Sequence, residues 1–152
     1  MRKFPRSGRN GQVVSNFHNL LVIDTNVIVS ALLKADSLPA AVLRSVLNGD
    51  ALMAHDSRIL LEYRDVLARP KFGFSPVLAE HLLRYLEDVG IVVAASPLRV
   101  SLPDPDDTKF LEVCIAAGPA ARLVTGNIRQ FPVESCHDVH VVTPREWLEQ
   151  LP

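Results

Sequence analysis

LVIDTNVIVSALL, residues 21–33, changes its period in mid-stretch. Residues 20–23, LLVI, form a short apolar run with β-branched members, the pattern of a strand buried on both faces. NVIVSALL then reads as a helix, with Val27, Ser30, Ala31 and Ala35 on one side. Between the two lies Asp24, a carboxylate at the seam of two apolar elements. It has two readings: it caps the helix that begins at Asn26, or it is carried to the sheet edge to do chemistry.

The remainder repeats this alternation. Leu38–Asn48 reads as a helix with Pro39 in its first turn. ALMA (51–54) reads as a strand, and SRILLEYRDVLARP as a helix capped by Asp56 or Ser57 and stopped before Pro70. KFGFS is a turn. PVLAEHLLRYLEDV, with Leu78, Leu82, Tyr85, Leu86 and Val89 at helical spacing, closes at Gly90, and IVVAA (91–95) reads as a strand. After the loop SLPDPDD, Asp106 or Asp107 caps TKFLEVCIAA, with Gly118 just past its end. RLVT (122–125) and VHVVT (139–143) are strands, and PREWLEQLP is a final helix. Such alternation predicts an α/β fold, a three-layer α/β/α sandwich on a central, mainly parallel sheet.

The chain has 152 residues, 48% hydrophobic and 22% charged, enough for one domain with a sizeable core. No apolar run reaches the ~18 residues that span a bilayer, so no membrane segment is expected. Net charge is −1, but residues 1–18 hold Arg2, Lys3, Arg6 and Arg9 and no acid, so the rest carries −5. Residues 1–18 read as a disordered basic arm and 19–152 as a single domain. Cys114 and Cys136 lack CxxC spacing, which excludes a cysteine zinc site and a disulfide framework and suits a cytoplasmic protein.

In a parallel sheet, sites form at the carboxyl ends of the strands. Asp24 follows the first strand, Asp107 opens a helix after the third, and Thr125, Gly126 and Asn127 follow the fourth. Glu62 lies mid-helix, beside the face formed by Ile59, Leu60, Tyr63 and Leu67. Thr125 and Asn127 also suit a turn, and Asp104, Asp106 and Asp107 a loop and cap. Taken together, these acids converge on one edge. Clustered carboxylates raise one another's pKa, and a divalent cation removes that penalty. Oxygen donors of this kind suit Mg²⁺ or Mn²⁺, which activate water and clamp phosphate oxygens. The chemistry points to phosphodiester hydrolysis. His55 and His81 read as surface or helix-flank residues.

These strings resemble a PIN domain (PilT N-terminus), the fold of VapC-like toxin ribonucleases, from about Leu20 to Leu148. VIDTNVIVSALL resembles the family's first strand and helix. LLEYRDVLARPKF resembles the segment of its second acid, DPDDTKFLEVCIAAG the third motif, and LVTGN the fourth. The nearest subset is the toxin-type PIN proteins with EYxxVLxRPKF and DPDDxxFL. The resemblance implies Asp24, Glu62 and Asp107 as metal ligands, with Asp104 next. It assigns a supporting role to Asn26 and a catalytic one to Thr125, which fits the family's usual Ser or Thr. It also implies cleavage of single-stranded RNA, a small antitoxin partner and a homo-oligomer, commonly a dimer. Lys71, Lys109 and Arg129 are candidates to hold the RNA backbone. Many PIN domains have Asp where this chain has Asn127, which supplies an oxygen but no charge and is assigned an indirect role. That departure keeps open an alternative: a weakened PIN fold that binds RNA or protein without cutting.

Overall fold

The computed structural model describes residues 19–152, so the basic arm lies outside the described residues. Five strands form one all-parallel sheet in the order β3-β2-β1-β4-β5. They are β1 (Leu20–Ile23), β2 (Leu52–His55), β3 (Ile91–Val92), β4 (Arg122–Val124) and β5 (His140–Val142). Six α-helices accompany them: α1 (Thr25–Leu33), α2 (Leu38–Leu47), α3 (Ser57–Leu67), α4 (Pro76–Val89), α5 (Thr108–Ala117) and α6 (Pro144–Gln150). The helices α1, α2 and α6 pack on one another, as do α3, α4 and α5, giving the expected sandwich. No single helix among the described residues is long and apolar enough to cross a membrane.

Every residue of β1 is buried, because helices cover both faces of the central strand. One core cluster joins the sheet to Ile28, Ile59, Tyr63, Phe110, Phe131 and Trp147. Prolines at the first or second position start α2, α4 and α6, where a missing N–H costs nothing. Ser37, Asp56, Ser75 and Thr143 each accept a backbone N–H at a helix start. Gly118, at φ 112°, ends α5 as expected.

Some expectations need correction. In α1 the buried face is Thr25, Val27, Ile28, Val29 and Ala31, whereas Ser30 and Ala35 are exposed. In α4 the inward residues are Leu83 and Leu86, while Leu78 and Tyr85 are exposed. The third strand is two residues long rather than five, because β2, its partner in the sheet, ends at His55 where the chain turns into α3. His55 is buried at 2% exposure, not on the surface. Neither ring nitrogen has a hydrogen-bond partner among the described residues, and burial lowers its pKa against the opposing effect of Glu87 and Asp56. Gly90 explains how it fits. A Cβ there would stand 2.6 Å from the Met53 carbonyl and 2.7 Å from the His55 ring.

The long segment between β3 and α5 is tied down by Glu112. This carboxylate is 7% exposed. It accepts from the Leu98 N–H at 2.8 Å and from Arg58 at 2.7 Å. Arg58 also pairs with Asp56. Replacing Glu112 with Ala removes the acceptor of the half-buried Leu98 N–H and one of two acids from Arg58. The expected cost is about 2 kcal/mol in urea denaturation. A loss near zero would show that the segment is held by other contacts.

Candidate functional site

The strand order reverses between β1 and β4: the chain runs outward from β1 through β2 to β3, then crosses back to β4 and β5 on the other side. In open parallel sheets that crevice, beyond the carboxyl ends, is where ligands bind. The register pairs Ile23 with Val124, so the next residues, Asp24 and Thr125, stand side by side at its mouth. Asp24 N–H bonds to the Val124 carbonyl at 2.9 Å, and Thr125 N–H to that of Val142 at 3.0 Å. Backbone pairing alone thus brings together two residues 101 apart in sequence.

Asp24 occupies the N-cap position of α1, but its side chain makes no cap hydrogen bond. Its Oδ2 instead accepts from the Thr125 hydroxyl at 2.8 Å and the Asn26 amide at 3.1 Å. Asn26 also accepts the Gly126 N–H at 3.0 Å, clipping the turn after β1 to the turn after β4. A Cβ at position 126 would press within 3.3 Å of that amide oxygen, which favours glycine there. Asn127 is exposed and meets this network through its backbone, donating its N–H to the Thr125 hydroxyl at 3.0 Å.

α3 brings the second acid. Burial of Ile59, Leu60, Tyr63 and Leu67 leaves Glu62 at the flank of the inward face, as the helical spacing predicts. Tyr63 donates its hydroxyl to the Ile23 carbonyl, fastening α3 to the end of β1. Glu62 accepts from the Thr25 hydroxyl through Oε2 and pairs with Lys109 through Oε1 at 2.6 Å.

Asp104 to Asp107 form a one-turn 3₁₀ start to α5. The Asp104 carboxylate accepts the Asp106 N–H at 2.9 Å, so Asp104 and not Asp106 caps this turn. Asp107 is at the N-cap position of α5 but makes no cap bond, leaving its carboxyl available to the edge. Burial first, then the charges of Asp24, Asp104 and Glu62, push its pKa up to about 7 against the opposing Lys109. Burial also raises the pKa of Asp24, opposed by the Thr125 hydrogen bond and reinforced by Glu62. Asp107 therefore feels Asp24, Asp104 and Glu62 across the edge, and Asp24 feels Glu62. Lys71 and Arg129 stand apart: both are exposed, Lys71 lies over the Phe72 ring, and Arg129 sits in the 3₁₀ turn after β4.

A family model described as a PIN domain matches residues 20–129. The chain belongs to the PIN domain family. No curated protein and no solved structure matched it. The matched span takes in β1 through β4 and every acid discussed above, but stops short of β5 and α6. PIN domains are generally nucleases and typically bind divalent metal ions. The acids of this PIN domain suit such an ion in chemistry, being hard oxygen donors whose mutual repulsion a cation would relieve. Among the described residues, no three His, Cys, Asp or Glu side chains are yet gathered closely enough to hold one. Glu62 shows why: each of its oxygens already has a partner, Thr25 or Lys109.

The raised acids make a pH prediction for the metal-free protein. Asp107 titrates near 7 when folded but near 3.8 as an ordinary carboxyl. Between those values the folded chain binds protons that the unfolded chain has released, so its contribution to stability falls as pH rises. His55 acts oppositely: its lowered pKa costs stability as pH falls through about 6.5. Comparing wild type with D107N cancels His55. In EDTA, D107N should gain stability relative to wild type from pH 4 to 7 and level off above. A pH-independent difference would place Asp107 away from the other acids.

Proposed function

We propose that this PIN domain is a metal-dependent endoribonuclease that cleaves single-stranded RNA, and that it is the toxin of a toxin–antitoxin pair. The observation that carries the nuclease reading is the convergence of Asp24, Glu62, Asp104 and Asp107 on the switch-point edge, where burial first and then the other three acids raise the pKa of Asp107. Asp24, Glu62 and Asp107 would hold Mg²⁺ or Mn²⁺, with Asp104 assisting. The ion when bound supplies Lewis-acid activation of water and neutralises phosphate charge.

The protein's own groups do the positioning. Thr125 and Asn26 fix the Asp24 carboxylate from two directions. The Thr125 hydroxyl is fully buried, directs its proton to Asp24 and accepts the Asn127 N–H, so it holds the Asp24 carboxylate in place from behind. Asn127 acts through its backbone and the shape of its turn, so the absent carboxylate removes charge but leaves this contact intact. A groove of about 760 Å³ between α3 and α5 adjoins the acids; Arg58 and Lys109 line it together with Glu62, Asp65, Asp106 and Glu112, so a polynucleotide backbone would follow it only with a bound cation offsetting this acidic wall. Lys71 and Arg129, both exposed, would meet more distant phosphates.

The toxin role, with a small antitoxin and a dimeric assembly, follows the resemblance of EYRDVLARPKF and DPDDTKFL to toxin-type PIN proteins. A cytoplasmic location suits its two unpaired cysteines. End-labelled single-stranded RNA incubated with Mn²⁺, Mg²⁺ or EDTA tests the activity, with single-stranded DNA alongside. Metal-dependent cutting of RNA is the expected result. Metal binding without turnover on any strand would favour instead the non-cutting RNA- or protein-binding module, for which Asn127 is the motivating departure.

A further inference from the structure

Lys109 is a cation folded into an acidic edge. Its side chain is only 14% exposed. Its Nζ lies 2.6 Å from Glu62 Oε1 and donates to the Asp106 carbonyl at 2.6 Å. The same ammonium stands 5.3 Å from the centre of the Phe110 ring. Three partners therefore fix it over the carboxylates. Arg58, the other cation lining the groove, is committed elsewhere, to Asp56 and Glu112.

The position of Lys109 has a consequence for any cation arriving at the edge. Glu62 has two oxygens, and Thr25 and Lys109 take one each. A divalent ion using Glu62 meets a like charge a few ångströms away and a carboxylate oxygen already engaged. Lysine is a compact point charge on a flexible stem, so it can leave without rearranging the backbone. The groove wall on which it sits is the path described for substrate phosphates.

We propose that Lys109 is the resident counter-cation of this site: a divalent ion must displace it from Glu62, and the freed ammonium then binds substrate phosphate in the adjoining groove. The inference rests on the metal-dependent reading above. Lys109 shields the acids from one another while the metal is absent and becomes a substrate contact when it is present. Linkage makes the two events cooperative, because a phosphate that draws Lys109 away from Glu62 also raises metal affinity.

Calorimetric titration of wild type, K109M, K109Q and K109R with Mn²⁺, without RNA, tests this. K109M and K109Q should bind Mn²⁺ about tenfold more tightly than wild type, since a neutral side chain neither repels the ion nor occupies Glu62. K109R keeps the charge and should stay within about threefold of wild type. Metal-free K109M should melt below wild type and gain more on adding Mn²⁺. At saturating Mn²⁺ its KM for RNA should rise more than its kcat falls. Equal or weaker Mn²⁺ binding by both neutral variants overturns the proposal while leaving the metal reading intact. If neither wild type nor any variant binds Mn²⁺, the metal reading itself fails and the proposal with it.

Discussion

Changing Asp24 to Asn should abolish RNA cleavage, by at least about a thousandfold, with little change in stability. The activity loss follows from position. Asp24 is 5% exposed, at the centre of the switch-point crevice, and bonded to both Thr125 and Asn26. On the proposed reading, losing its charge removes a ligand from a metal whose Lewis-acid contribution would be several kcal/mol, and about 4 kcal/mol is a thousandfold in rate. The stability result follows from shape. Asn is isosteric with Asp, and its oxygen can still accept the Thr125 hydroxyl. The repulsion between Asp24 and Glu62 that adds to the raised pKa of Asp24 disappears. Unfolding free energies from urea denaturation should agree within about 1 kcal/mol. A D24N protein that cuts as fast as wild type would move the active site elsewhere.

Phe110→Ala should be the costlier change for the fold. Phe110 is fully buried in the core, on the first turn of α5. Truncating such a ring costs about 3–5 kcal/mol, from a total that for most domains is about 5–15 kcal/mol. For a chain of this size the melting temperature should fall by roughly 10 °C. Asp107 and Lys109 sit on the same turn, so the acidic edge loses its footing as well. Phe110→Leu should recover most of the loss. A cost below about 1 kcal/mol for the alanine variant would mean that α5 does not anchor the edge by burying this ring.

Much of this architecture was readable from local pattern. LLVI, the helices starting at Pro39, Pro76 and Pro144, and the glycine closing α5 each declare themselves through burial period or turn chemistry. The seam at Asp24 was legible too, because a carboxylate has little reason to follow a fully buried strand unless the strand delivers it somewhere. The choice between a cap and a delivered carboxylate needed the coordinates: the Asp24 side chain makes no cap hydrogen bond and accepts instead from the Thr125 hydroxyl and the Asn26 amide. Helical spacing put Glu62 at the flank of its face, but no spacing rule says that Thr25 and Lys109 hold its two oxygens.

Three features of the fold turn on contacts between segments. His55 ends a strand beside Asp56, and in sequence such a residue looks solvated. Gly90, 35 positions on, is what makes room for it. IVVAA has the composition of a longer strand, yet strand length depends on the partner, and β2 ends first. Glu112, in FLEVCIAA, looks like a helix-surface acid. Its burial comes from Arg58 and from a loop residue, Leu98, neither adjacent in sequence. None of the three is encoded in periodicity within one segment, whereas the faces of α1 and α4 were misread within a single helix.

The central claim is that the carboxylates at the end of β1, on α3 and at the start of α5 form one metal site. Titrating wild type and D24N with Mn²⁺ in a calorimeter measures that directly. The account predicts saturable binding to wild type and its loss, or a weakening beyond about a hundredfold, in D24N. Equal binding by the two proteins, or none by wild type, would contradict it.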